Sequence, residues 1–451
     1  MIRKNFALPK NIRLFGEIFF QRGRECYLVG GAVRNMVAGW KPSDWDFATD
    51  APPAEVISMF RRVIPTGIKH GTVTVLFKQE KYEVTTFRID ADYSDGRRPD
   101  AVTYTGDIYE DLSRRDFTIN AMAINLNTGK LIDPHDGRAD IKRKLIRAIG
   151  DPQIRFAEDG LRLLRACRFT AQLGFRLEEQ TEKALSSCRF QLSNVSLERI
   201  RDEIVKMLDA EKPSIGFLVM EKSGILSDIL PELSRCRGIT QKGFHSFDVL
   251  DHSLYACDGA PADRLLIRLA ALFHDTGKAV TLSTDEDGFP TFHRHEIESE
   301  KIAREIMQRL RFSNAQTDTV CHLVKHHMFY YTDDWSDAAV RRFISRVGRE
   351  HINDLFALRL ADQYGMTART MEATNLTSFA KRIQAVLDKD TALTLRDLAV
   401  NGKDLMKEGI PAGPLLGTIL DQLLEAVLDD PEMNKKERLL AIAKSLHQQI
   451  D

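Results

Sequence analysis

The sequence predicts an α/β head followed by a long all-helical body. Three observations carry this. β-branched runs with alternating polarity are confined to residues before about 147. From about residue 150, apolar residues recur at three- and four-residue spacing and the alternation fades. The chain has 451 residues, too many for one compact core, so several domains are expected.

The head reads in order. Cys26-Tyr-Leu-Val29 is a short apolar run ending in Gly30-Gly31, a strand entering a tight turn. Trp45 and Phe47 interleave with Asp44 and Asp46, which puts both carboxylates on one face of a predicted strand. Thr72–Phe77 and Tyr82–Phe87, parted by polar Lys78–Lys81, predict a hairpin. Met122–Leu126 and Lys130–Asp133, parted by Asn127-Thr-Gly129, predict another. Polar Ala91–Pro99, with Asp95-Gly96 as a turn signal, predicts a mobile loop. In the body Lys212-Pro213, Gly259–Pro261 and Gly288–Pro290 punctuate the helices. Further loops are predicted at Asp333–Asp337 and from Asn401-Gly402 to Gly413-Pro414.

Composition narrows the class. With 43% hydrophobic and 29% charged residues the chain reads as an ordinary soluble globular protein. No apolar run approaches the roughly 20 residues of a membrane span, and Met1–Pro9 lacks the apolar core of a secretory signal. Six scattered cysteines form no CxxC pair, which argues against a disulfide framework or a thiolate zinc site and for a cytoplasmic home. A net charge of −1 argues against indiscriminate coating of nucleic acid but leaves room for a local basic surface.

Chemistry concentrates in Leu28-Val-Gly-Gly-Ala-Val-Arg34 and Ser43-Asp-Trp-Asp-Phe47. Two glycines, Gly30 and Gly31, ahead of a helix let backbone N–H groups approach a phosphate, and Arg34 in the first turn can hold a triphosphate oxygen. Asp44 and Asp46 offer paired hard oxygens suited to Mg²⁺ and substrate phosphates, the arrangement that activates an attacking hydroxyl and stabilises departing pyrophosphate. Alone, a Gly-Gly is a turn and a DxD is a solvated strand end. Together, at this spacing, they point to nucleotidyl transfer. Glu83 is either a third carboxylate or an outward-facing surface residue.

Two further segments follow: Arg114-Arg-Asp-Phe-Thr-Ile-Asn-Ala121 and Glu158-Asp-Gly-Leu-Arg-Leu-Leu-Arg165. In order and approximate spacing, the set resembles the class II tRNA nucleotidyltransferases and bacterial poly(A) polymerases, a polymerase-β-like branch. One departure is Asn35, where that family usually has Asp. The resemblance implies a polymerase-β-like head, an all-α neck, Mg²⁺-dependent transfer from CTP and ATP to tRNA, and Arg115, Asp116 and Asn120 on the incoming nucleotide. The chemistry fits: a guanidinium clamps phosphates, and Asp and Asn can bond ribose hydroxyls.

At 100° per residue Arg162, Arg165 and Arg168 span about a third of a helix circumference, opposite Leu163, Leu164 and Cys167. Asp159 lies one turn from Arg162. A carboxylate accepts and a guanidinium donates, so the pair matches the amino donor and ring-nitrogen acceptor shared by cytosine and adenine, and rejects uracil and guanine. In isolation the same two residues would be a surface salt bridge.

Within the resemblance, Pro65–Val73 is similar to the tRNA enzymes rather than to the basic segment of poly(A) polymerases, which are the alternative. The complete Arg88–Asp100 loop favours full CCA addition, or addition of its terminal A, over CC addition. In the body His252, His274-Asp275 and Asp362 resemble the HD phosphohydrolases, with His295 and His326-His327 between them. This implies a second divalent-metal site, active or retained as scaffold. An HD phosphohydrolase with a degenerate head is a further alternative, opposed by the intact head motifs. The expected domains are residues 1–147 (catalytic head), 148–240 (neck), 241–380 (HD-type body) and 381–451 (tRNA-binding tail). Lys142, Arg143, Lys144, Arg341, Arg342 and Arg346 are candidate tRNA contacts.

Overall fold

The structure, a computed structural model, describes residues 6–42, 44–68, 71–90, 102–243, 245–370, 374–389 and 392–450. The predicted loop Ala91–Pro99 lies outside them, as do Lys69 and His70 of the Pro65–Val73 segment. The chain divides into two compact units: Met1–Ser234 with Arg309–Phe312, and Arg235–Gln308 with Ser313–Asp451.

The first unit is built on a seven-stranded sheet: β1 (Cys26–Val29), β2 (Asp46–Thr49), β3 (Val63–Gly67), β4 (Thr72–Phe77), β5 (Glu80–Thr86), β6 (Ala123–Asn125) and β7 (Leu131–Ile132). Their order is β3-β4-β5-β2-β1-β6-β7. Only β2 and β5 pair in parallel. Both predicted hairpins are present. The first turns through Lys78 and Gln79 at φ 48° and 70°, the hand that matches strand twist without a glycine. Trp45 and Asp44 do not join the predicted strand, which begins at Asp46.

Alternation along β2 separates core from chemistry. Phe47 turns to one face, where it meets Phe15 of the helix Lys10–Gln21 at 4.7 Å between ring centroids, and Tyr82 at 5.2 Å. Phe19, Phe60 and Phe77 complete this aromatic cluster, each ring pair worth about 0.5–1.5 kcal/mol beyond burial. Ala48 turns to the other face with Tyr27, Val29, Phe87, Ile108 and Leu112. Asp46 shares that second face at the start of the strand.

The helical prediction after residue 150 holds, with corrections. Helices Pro152–Glu158 and Leu161–Leu173 are separate, so Asp159 is not on the arginine-bearing helix. Asp159 is extended (φ −149°, ψ 107°). A Cβ on Gly160 would stand 2.5 Å from the Gln191 carbonyl oxygen, so only glycine fits at the break. Short strands also persist: Leu145–Ile146 pairs in parallel with Arg176–Leu177. Arg309 closes this unit by donating to Glu232 Oε2 (2.8 Å) and to the Ile229 carbonyl (3.2 Å).

The second unit is helical, with one small hairpin, Ser283–Thr284 against Pro290–Thr291, where only punctuation was read. The expected loop from Asn401 to Pro414 is partly helix. The Asn401 side chain accepts from the Lys403 and Asp404 N–H groups and caps Gly402–Lys407, a contribution of about 1 kcal/mol. That helix joins Pro414–Asp429 and Lys436–Ile450 around Leu398, Leu405, Ile419, Leu423 and Leu439. Among the described residues no helix is long and apolar enough to cross a membrane. All six cysteines are free and buried.

Candidate active site

Sheet register assembles the carboxylates. Asp46 lies opposite Val29, the residue before the glycine turn, and beside Glu83 of β5. Gly30 sits at φ 69°, a conformation that side chains resist, as β1 turns into the helix Gly31–Ala38. That turn approaches Asp46 Oδ2 and Arg115 Nη1. Asp44 precedes the strand and is exposed. Burial raises the Asp46 carboxyl above its ordinary range. The neighbouring Glu83 raises it further, Arg115 opposes, and Asp44 adds to the rise. Clustered like charges that share one sheet end, with hard oxygen donors, fit a divalent cation.

A second group forms around Asp116. Its Oδ1 accepts from Asn120 Nδ2 (3.1 Å) and the Phe117 N–H (2.8 Å); its Oδ2 accepts from Arg165 Nε (2.7 Å). Burial alone would raise this carboxyl, but Arg165, Asn120 and the Phe117 N–H bring it down to about 2. Asn120 Oδ1 in turn accepts from Arg34 Nη1 (2.8 Å). Asn35 accepts from Arg34 Nε and Nη2, so the residue that departs from the family pattern still orients the arginine. Burial and the nearby Arg168 charge lower Arg34 to about 10. Arg34, Arg165 and Arg168 all lie over the Phe169 ring, at 5.4, 5.4 and 4.2 Å. This concentration of positive charge suits a triphosphate.

Asp159 and Arg162 do not bond each other, so they are not the surface salt bridge their spacing would make in isolation. Asp159 Oδ2 accepts from Arg199 Nη2 (2.8 Å), while its Oδ1 accepts from the Leu161 N–H (3.0 Å). Arg162 is buried, pairs with Glu158, and donates to the carbonyls of Arg155 (2.8 Å) and Arg114 (2.9 Å). Arg168 faces Glu203 (2.6 Å) and Gln172 (2.9 Å). Sequence reasoning missed Arg199, Glu203 and Asp111. Buried Asp111 holds Arg114 (2.7 Å) and Arg115 (3.2 Å). Asp111 stands three and four residues before Arg114 and Arg115, a helical spacing that offered a signal; Arg199 and Glu203 meet partners 40 and 35 residues away, which local spacing does not reveal.

In the second unit His252, His274, Asp275 and Asp362 converge, all buried. His252 Nε2 lies 3.1 Å from His274 Nε2 and 3.1 Å from Asp362 Oδ1. His295 and His327 join the cluster. Of the His326-His327 doublet, only His327 joins the cluster; His326 packs against His322, with ring centroids 4.6 Å apart and planes tilted by 58°. Two imidazole–carboxylate triples have ligand atoms within 4.8 Å of one another, a donor set suited to a divalent cation.

Lys142, Arg143, Lys144 and Arg346 are exposed, as an RNA contact requires. Arg341 is not. It is buried and donates to the Leu428 (2.7 Å) and Asp429 (2.9 Å) carbonyls, where it serves a helix end. Arg342 pairs with Glu425 (2.8 Å) and with Asp429.

The description "Poly A polymerase head domain" matches residues 26–147, "Probable RNA and SrmB- binding site of polymerase A" matches 174–236, and tRNA nucleotidyltransferase domain 2 matches 282–443. The chain is 34% identical to a CCA-adding enzyme of Lactobacillus johnsonii, covering 91% of this chain and 90% of that one. It is 33% identical to that of Enterococcus faecalis, covering 94% and 92%. The structure is similar to the Bacillus stearothermophilus CCA-adding enzyme in complex with CTP, with TM-score 0.74, 26% identity and 98% and 99% coverage. Fold and site together define a nucleotidyltransferase. Because the likeness to the curated relatives runs through head and body alike, the chain belongs to the CCA-adding enzyme family, within class II.

Proposed function

We propose that this protein adds CCA to the 3′ end of tRNA from CTP and ATP, with its own side chains in place of a template. The observation that carries this is the gathering of Asp46, Arg115, Asp116 and Arg162 on one head-and-neck unit. Asp44 and Asp46 would hold Mg²⁺, which when bound neutralises triphosphate charge and lowers the pKa of the attacking hydroxyl. Gly30, Gly31, Arg34 and Arg115 bind phosphates, with Arg165 and Arg168 adding positive charge behind them. Asp116 and Asn120 orient the ribose. Asp159 and Arg162 read the base edge once they exchange their present partners for it.

In this reading residues 1–147 are the catalytic head, 148–240 the neck, 241–380 an HD-type body and 381–451 a tail. Lys142–Lys144 and Arg346 meet the tRNA phosphates. The setting is the cytoplasm, in keeping with six unpaired thiols. His252, His274, Asp275 and Asp362 form a second divalent-metal site for phosphoester hydrolysis, a reading favoured by their burial and convergence. The test is nucleotide incorporation on three tRNAs ending before CCA, after C and after CC, with each NTP offered separately. C, C and A entering in turn is the expected result. Incorporation of A alone on the last substrate, or A runs on all three, would replace this reading.

A further inference from the structure

We propose that Phe169 is a positioning residue for nucleotide binding: its aromatic ring gathers the guanidiniums of Arg34, Arg165 and Arg168 and holds them together for a triphosphate. The inference rests on the reading of those arginines as the phosphate-binding charge and adds the side chain that assembles them.

Three like charges do not gather unaided. Arg34 comes from the helix Gly31–Ala38 in the head, and Arg165 and Arg168 come from Leu161–Leu173 in the neck. Their guanidinium carbons lie over the Phe169 ring, 5.4, 5.4 and 4.2 Å from its centre. Arg165 donates to Asp116 Oδ2 (2.7 Å) and Arg168 to Glu203 Oε2 (2.6 Å). Arg34 is held by neutral groups instead, the amide oxygens of Asn120 (2.8 Å) and Asn35 (3.1 and 3.2 Å). Burial, and then the charge of Arg168, disfavours the charged form of Arg34. Burial and Arg165 act in the same direction on Arg168, against the pull of Glu203.

An aromatic face offsets such repulsion, because its π electrons attract a cation. It does so without taking an N–H donor from the guanidinium plane and without adding a negative charge. A third carboxylate in its place would cancel the surplus that a triphosphate needs. Phe169 is itself buried, so it acts through the arginines. Its ring is fixed by Phe117, with centroids 5.8 Å apart and planes at 89°, and the Phe117 N–H donates to Asp116 Oδ1 (2.8 Å). One short stretch therefore orients both the carboxylate and the ring that act on Arg165.

The test measures inorganic tripolyphosphate as a competitor of CTP, a probe with neither base nor ribose. Mono-, di- and trifluorophenylalanine placed at position 169 keep the ring's shape while draining its face of electrons. The inhibition constant should rise stepwise along that series. Phe169→Leu should raise it, and KM for CTP and ATP alike, by roughly three- to thirtyfold, the worth of a cation–π contact. A flat fluorinated series marks a packing residue and overturns the proposal, whether or not Phe169→Leu folds. So does a loss of CTP-over-UTP selection with tripolyphosphate inhibition unchanged. Arg34→Ala separates the underlying reading. If that variant keeps full inhibition, Arg34 does not bind phosphate and both readings fall. If it loses inhibition while the fluorinated series is flat, only the role of Phe169 falls.

Discussion

Asp159 is held by Arg199, not by Arg162: the Arg199 guanidinium donates to Asp159 Oδ2 at 2.8 Å from the helix Leu197–Leu208. Arg199 Nη1 is buried without a protein partner. Arg199 is thus a positioning residue for the carboxylate assigned to base reading. Arg199→Ala should erode CTP-over-UTP discrimination by roughly ten- to a hundredfold, the worth of one charge-assisted hydrogen bond. Arg199→Lys should restore part of it. Single-turnover incorporation of each nucleotide measures this; unchanged selectivity in the alanine variant would assign Arg199 to folding alone.

Asp159→Ala should also weaken rejection of UTP, whereas Arg162→Ala should lower use of CTP and ATP together. Arg162 further ties the Arg114 carbonyl to the neck, so its variant should also melt earlier. If both proteins keep the parent's rates and its refusal of UTP, base reading lies elsewhere.

Asp44→Ala or Asp46→Ala should reduce nucleotide addition by roughly a thousandfold or more while tRNA still binds, because the loss falls on transition-state charge. Filter binding beside turnover separates the two effects. Near-normal turnover would be decisive against the assignment.

Acidification should expose Asp46. Its carboxyl is raised by burial and by Glu83, so it takes up a proton at a higher pH than an ordinary aspartate, and activity that needs the ionised form falls as pH drops through that value. Glu83→Gln removes the second cause, so the acid limb of the rate profile should move to lower pH. A limb that stays in place, or moves upward, contradicts this.

Glu203→Gln should destabilise the first unit by about 3–5 kcal/mol, the usual cost of stranding a buried charge, here Arg168. The pair Arg168→Met/Glu203→Leu should recover most of that loss in urea titrations. Equal instability of single and double variants would show that packing on Phe169, not charge, is what matters.

Legibility followed sequence distance. The glycine turn, the hairpins and the Asp44–Asp46 spacing are short-range patterns, and β1, β2, β4 and β5 lie close to where alternation put them. Asp159 was misplaced because helical spacing assumes an unbroken helix, whereas the backbone is extended at Asp159, next to Gly160, which packs against the Gln191 carbonyl, distant in sequence. Arg341 was read as an RNA contact because its acceptors belong to a helix end 87 and 88 residues away. His327, not its neighbour His326, entered the buried cluster for a similar reason: adjacent residues near a helix end face different ways, and only tertiary packing decides which turns inward.

The bond from Arg309 to Glu232 has a consequence for synthesis. All of the first unit but Arg309–Phe312 is encoded by a stretch that ends at Ser234, yet its closing guanidinium is translated only after the whole intervening segment. Until then Glu232 and the Ile229 carbonyl lack that partner, and the nascent first unit is a fold with one open seam. A gene trimmed at codon 234 would make that waiting state permanent.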